Sequence, residues 1–314
     1  MVTSWQRGIS EAAADRVHGA SYIAAAAAGT LVEACRAGAA PDELRRALRE
    51  LAAGQPVMAP VLQLAGEAWR ALEEEGPPAV ERVAAGWREA LMAAEQRFVE
   101  ELLADPPPPG VWALLSLSSV VNRGFEALEE AGPRGEVWVG ESRPGGEGIE
   151  TVRALAAHGR RCTLMPDAVL FDHLARGEVD RVILGCDALD DHHFVNKSGS
   201  AALAALAAER GIPVELWTTT HKFLPPGTAL RLPLAARQGG GRAVNLPPGV
   251  RYRQPLFAAG TLHDGMVIRC EEGALDRAVV EKRVRGIAPL PGAIFDALRG
   301  VEGGGAAPGT GAVR

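Results

Sequence analysis

Two rhythms of apolar residues divide the chain. Over residues 9–104 apolar positions recur every three or four residues, as at Leu44, Ala47, Leu48 and Leu51, in a background of Ala, Leu, Glu and Arg. That spacing predicts helices, each with one buried stripe, punctuated at Pro41-Asp42 and Gly76-Pro77-Pro78. After Pro106–Pro109 the apolar residues gather into short runs at 111–117, 136–140, 161–165, 181–185 and 213–218, with a weaker run at 266–269. Helix-like stretches at 148–157, 168–176 and 201–210 lie between several of them. Strand, helix, strand at this spacing predicts βαβ units and a parallel sheet covered on both faces.

The expected fold class is therefore α/β: an all-helical domain over residues 1–107, then a parallel, Rossmann-like α/β domain over 108–301. A run of prolines ends a helix and makes a stiff connector, which places the boundary there. Residues 302–314, rich in Gly, are expected to be a disordered tail. In open parallel sheets ligands bind beyond the carboxyl ends of the strands. The polar loops at 116–122, 141–148, 166–168, 187–200 and 219–222 therefore converge on the expected site.

Composition narrows the function. The chain has 314 residues, 47% hydrophobic and 23% charged, and a net charge of −6. A negative chain is poorly suited to nucleic-acid phosphates or anionic lipid, so neither is expected as a partner. The four cysteines form no CxxC pair, so reduced thiols are expected. The first residues lack the apolar run of a secretion signal and no stretch is long enough to span a bilayer, which points to the cytoplasm.

Several residues carry candidate chemistry. Asp187 follows the most apolar strand, at the crevice mouth, where a carboxylate works as an acid or base; capping or ion pairing would suit it equally. Asn196-Lys197-Ser198-Gly199-Ser200 leads into a helix, where an ammonium and free N–H groups favour an anion; plain helix capping is the alternative. Arg143, in the glycine-containing loop 141–148, suits a carboxylate or phosphate. His221-Lys222 brings a second cation to the crevice. Asp190, Asp191, His192 and His193 cannot all converge on one ion, so a solvated loop is expected and no metal.

Glu141-Ser142-Arg143-Pro144 with Glu147-Gly148, then Gly185-Cys186-Asp187, then Asn196-Lys197-Ser198-Gly199-Ser200, then Gly211-Ile212-Pro213-Val214, occur in one order. That order resembles the family of 5-methylthioribose-1-phosphate isomerase, ribose-1,5-bisphosphate isomerase and the α, β and δ subunits of translation initiation factor 2B. The similarity covers residues 112–222, with an echo at His18-Gly19-Ala20 and Gln55-Pro56-Val57. The resemblance implies a dimer or larger homo-oligomer, with no cofactor and no metal. It implies Asp187 as catalytic aspartate and Asn196 and Lys197 as phosphate ligands. The position of the family's catalytic cysteine falls on Ser118, and its two phosphate-binding arginines are replaced by His18 and Gln55. A glutamine of the family site becomes Glu147, which would repel an anion.

These departures remove a thiol and two guanidinium forks from the standard pocket. The first expectation is accordingly a family protein with a degenerate sugar-phosphate pocket, binding a small phosphorylated, sugar or nucleotide ligand in a regulatory role. The alternative is an aldose–ketose isomerase using Asp187 with Ser118 or Cys186. A third reading is an assembly subunit without a ligand. The expected ligand contacts are His18, Gly19, Ala20, Gln55, Arg143, Glu147, Asn196, Lys197 and Lys222.

Overall fold

The computed structural model describes residues 2–116, 118–132, 135–236 and 246–302; the expected tail, but for its first residue, lies outside them. Local chemistry starts the helices where the sequence changes. Thr3 and Gln6 form a reciprocal cap on α1 (Ser4–Ala14). Prolines occupy the first turn of α3 (Pro41–Gly54), α4 (Ala59–Glu75) and α5 (Pro77–Ala104), where a missing N–H costs nothing. Between α1 and α3 runs α2 (Ala20–Arg36), which packs against α1, α4 and α5. Its buried stripe of Ala24, Ala27 and Ala28 has no bulk, so neighbouring helices approach closely.

The α/β part runs β1 (Gly110–Leu115), α6 (Ser119–Glu130), β2 (Gly135–Gly140), α7 (Gly148–Ala157), β3 (Arg161–Met165), α8 (Asp167–Ala175) and β4 (Arg181–Leu184). It continues with β5 (Ala188–Leu189), β6 (His193–Lys197), α9 (Ser200–Glu209), β7 (Val214–Trp217), β8 (Phe257–Thr261), β9 (Val267–Cys270), β10 (Gly273–Leu275), α10 (Arg277–Val284) and α11 (Gly292–Glu302). A 7-stranded sheet has the order β10-β9-β7-β4-β1-β2-β3. Every neighbouring pair is parallel except β9–β10. The chain steps outward from β1 to β3, then returns to lay β4 on the other side of β1. That reversal leaves a crevice beyond the carboxyl ends of β1 and β4.

Buried polar groups pin the sheet. Glu215 on β7 is 1% exposed and pairs with Arg181 at 2.5 Å and Arg269 at 2.6 Å, tying β4, β7 and β9 together. Arg160 lies over the rings of Trp112 and Phe125 and meets Glu129 at 2.8 Å.

Three features differ from the sequence reading. First, β5, β6 and β8 form a separate antiparallel sheet, so Asn196 and Lys197 sit on a strand instead of in a loop. Second, Asp190 is fully buried, not solvated. Its Oδ1 accepts the N–H groups of His192 and His193 at 3.0 and 2.8 Å, and its Oδ2 accepts that of Ala229 at 2.8 Å. Third, α11 packs on α3 and α4, so residues 292–302 join the helical layer.

Candidate functional site

The crevice at the β1–β4 reversal is a cleft of about 350 Å³. Beside it lie the two non-glycine residues with positive φ among the described residues. Ser116, directly after β1, has φ of 82°, and Ser142, after β2, has φ of 63°. Non-glycine residues adopt this left-handed region only when neighbours hold them there. Here Ser142 Oγ accepts the Ser116 N–H at 2.6 Å, Thr151 Oγ1 donates to the Ser116 carbonyl at 2.9 Å, and both carboxylate oxygens of Asp167 accept the N–H groups of Ser142 and Arg143 at 2.7 Å.

Asp187 enters from the loop after β4. Its N–H donates to Val195 O at 2.8 Å, and its carbonyl accepts from Ala59, the first residue of α4, at 3.0 Å. The residue is therefore wedged between the small sheet and the helical layer. Lys197 lines the same cleft from β6, 3% exposed, and its ammonium is ion-paired with Oε1 of Glu147. Glu147 Oε2 and Asn122 Oδ1, both of cleft-lining residues, are buried without a hydrogen-bond partner.

A strap from the helical layer roofs the cleft. Gln55 is fully buried, and its side-chain amide donates to the carbonyls of Ala12 and Asp15, both at 2.8 Å, which fixes the exit of α1. Asp15 then accepts the N–H groups of Val17 and His18 at 2.8 and 3.0 Å and meets the His18 ring at 2.7 Å. Partial burial pushes the Asp15 carboxyl up, but those hydrogen bonds outweigh it and hold it below the usual carboxylate range. His18 stacks on Tyr22 with ring centroids 4.1 Å apart, at the cleft rim.

Of the residues singled out from sequence, His18, Gly19, Glu147, Asp187 and Lys197 line the cleft. The others do not. Ala20 belongs to the helical core and Gln55 positions the strap. Arg143 extends into solvent toward Glu141 at 2.9 Å. Asn196 donates to Ser200 Oγ at 3.0 Å, because β-strand alternation turns it to the face opposite Lys197. Ser118 caps α6, its hydroxyl accepting from Val121 N–H, while Ser116 and Ser119 on either side reach the cleft. The Cys186 thiol donates to Ala188 O at 3.0 Å, and burial pushes its pKa up to about 12, against the weaker pull of Lys222. Lys222 is 3% exposed, outside the cleft lining. Sequence reasoning did not single out Arg16, Tyr22, Met58, Leu256 or Phe257, which only the tertiary fold brings here. Among the described residues no His, Cys, Asp and Glu cluster is arranged to hold a metal ion, and no helix is long and apolar enough to cross a membrane.

Fold and site together define a class: α/β proteins with a strand-end cleft at the point of sheet reversal, roofed by an amino-terminal helical layer. The chain belongs to the initiation factor 2 subunit family, which matches residues 113–229. It is 31% identical over 264 residues to the methylthioribose-1-phosphate isomerase of Anaeromyxobacter sp. (strain K), a match spanning 77% of this chain and 76% of that one. The ribose 1,5-bisphosphate isomerase of Haloferax volcanii is 38% identical over 104 residues, 33% of this chain and 31% of its own. The solved translation initiation factor eIF-2B of Pyrococcus horikoshii OT3 superposes with a TM-score of 0.74 at 22% identity, over 88% of this chain and 98% of its own. At that identity it speaks for the fold.

Proposed function

We propose that the cleft binds a phosphorylated sugar and interconverts its aldose and ketose forms, with Asp187 as the group that moves the proton. Such isomerisation shifts hydrogen within one molecule, so it needs a positioned acid–base group and no co-reactant. The observation that carries this reading is the meeting of Asp187 and Lys197 in one cleft at the sheet reversal. The names of the two isomerase relatives support it. The unpartnered acceptors of Glu147 and Asn122 suit a ligand rich in hydroxyl donors.

A second reading, ligand binding without turnover, has its own observation. No thiol lines the cleft among the described residues, and Glu147 already neutralises Lys197. Ser116 and Ser119 supply hydroxyls, but these shuttle protons poorly without a base.

The test is incubation with 5-methylthioribose 1-phosphate and with ribose 1,5-bisphosphate, following sugar resonances by NMR beside a thermal-shift measurement. Turnover that drops about 10²- to 10⁴-fold in Asp187→Asn, with the thermal shift kept, supports the isomerase. A thermal shift without turnover supports the binding protein. Neither response would remove both readings and leave the assembly role. Self-association belongs to the same proposal, and a light-scattering mass of one chain would exclude it.

A further inference from the structure

A cavity of about 650 Å³ shares no lining residue with the Asp187 cleft. It lies where α4, α5, the turn after β7 and the chain following α10 come together. Its size falls within the range of small-molecule sites.

Three arginines line it from three different helices: Arg70 on α4, Arg82 on α5 and Arg283 on α10. Against them stands one carboxylate, Glu67, which accepts the indole N–H of Trp87 at 2.6 Å. The arginines' own partners leave donors to spare. Arg82 meets Glu75 at 2.5 Å, Arg283 meets Glu272 at 3.1 Å, and Arg70 donates to Pro289 O at 3.1 Å. A guanidinium has five N–H donors, so each keeps several for a ligand. Neither Glu75 nor Glu272 lines the cavity. With Glu67, Glu75 and Glu272 nearby the three guanidinium charges are balanced, so what the cavity offers an anion is their unused N–H donors.

The remaining wall is apolar and aromatic. Trp87 meets the His221 ring edge-on with centroids 5.0 Å apart, and Val83, Ala90 and Ile287 complete it. His221 Nδ1 is buried without a partner. Gly86 opens the α5 face: a Cβ added there would meet no atom within 4 Å.

We propose that this cavity is a second ligand site, taking a small phosphate monoester whose organic part is a planar ring. Two charges and three free oxygens match three guanidinium forks better than one carboxylate does. The ring lies against Trp87 and Ile287. The proposal is independent of the reading of the Asp187 cleft.

Isothermal titration of the full chain with phenyl phosphate, inorganic phosphate and phenol tests it. Phenyl phosphate should bind at least several-fold more tightly than inorganic phosphate, and phenol should give no heat. The double variant Arg82→Gln/Arg283→Gln, at two well-exposed side chains, should weaken phenyl phosphate at least tenfold. Gly86→Phe, which fills the opening and leaves every charge in place, should do the same. Lys197→Gln, in the other cleft, should leave this binding unchanged. Phenyl phosphate that binds equally in both cavity variants, or that fails to bind at millimolar concentration, overturns the proposal. Loss in Lys197→Gln alone assigns the binding to the Asp187 cleft and overturns it too. Should Lys197→Gln fail to fold by circular dichroism, the two cavity variants still decide.

Discussion

Glu147 decides what the Asp187 cleft offers an anion. Its carboxylate holds the buried Lys197 ammonium, so an incoming phosphate must compete with a charge already in place. The side chain is about a third exposed, which screens the pair. Glu147→Gln is expected to tighten binding of 5-methylthioribose 1-phosphate by about 1 kcal/mol, roughly fivefold, with the gain shrinking as salt rises. Titration calorimetry at two ionic strengths checks this, and unchanged affinity would mean that Lys197 does not face the phosphate. His221 makes a pH prediction. Burial pulls its pKa below 6.5, and the charges of Glu271, Arg97 and Glu95 modify this in smaller measure. The unfolded chain therefore takes up the proton first as pH falls, and the native state loses stability below about pH 6.5. At pH 5.5 this one residue contributes a loss of at most about 1.4 kcal/mol. Urea unfolding at pH 7.5 and 5.5 should show a larger fall for wild type than for His221→Gln.

Among the elements, the central parallel strands were legible from sequence because β1, β4 and β7 are short, largely buried apolar runs, and β2 and β3 also fell within a residue of expectation. The β5–β6 hairpin was not. Residues 188–197 mix Asp, His, Asn and Lys with a few apolar positions, and no Gly marks the turn. What closes the hairpin is Asp190, whose buried carboxylate takes three backbone N–H groups. A local reading of Asp-Asp-His-His sees only a polar loop. The same failure explains Asn196, which leaves the candidate site because strand alternation separates it from Lys197. Asp187, Lys197 and Glu147 were legible because they stand in loops or strand ends beside the reversal. Arg16 and Tyr22 were not, because their approach depends on Gln55 holding the strap across the sequence. Asp190→Ala would leave those three donors without an acceptor and should cost about 3–5 kcal/mol. Denaturant unfolding of the variant measures it, and a loss under 1 kcal/mol would show that water or a rearranged turn replaces the carboxylate.

On the scale of the whole molecule, the helical layer is built from both ends of the chain. Helices α1 to α5 are contiguous in sequence, yet α11 closes them, with Ile294 and Leu298 at 0% and 2% exposure in the same core as Leu44 and Leu48. On sequence alone residues 292–301 fall in the α/β domain, because nothing local says which of the two layers an apolar helix face there seeks. This return ties the carboxyl-terminal helix of the α/β part to α3 and α4 of the helical layer. Ile294→Ala removes three buried carbons from that seam and should cost about 2–4 kcal/mol. The loss belongs to the helical layer, so native-state hydrogen exchange should show the amides of α3 and α4 losing protection. Those of β1 and β4, on the far side of the cleft, should change less. If instead the sheet amides lose protection while α3 and α4 keep theirs, α11 serves the α/β part and the seam lies elsewhere.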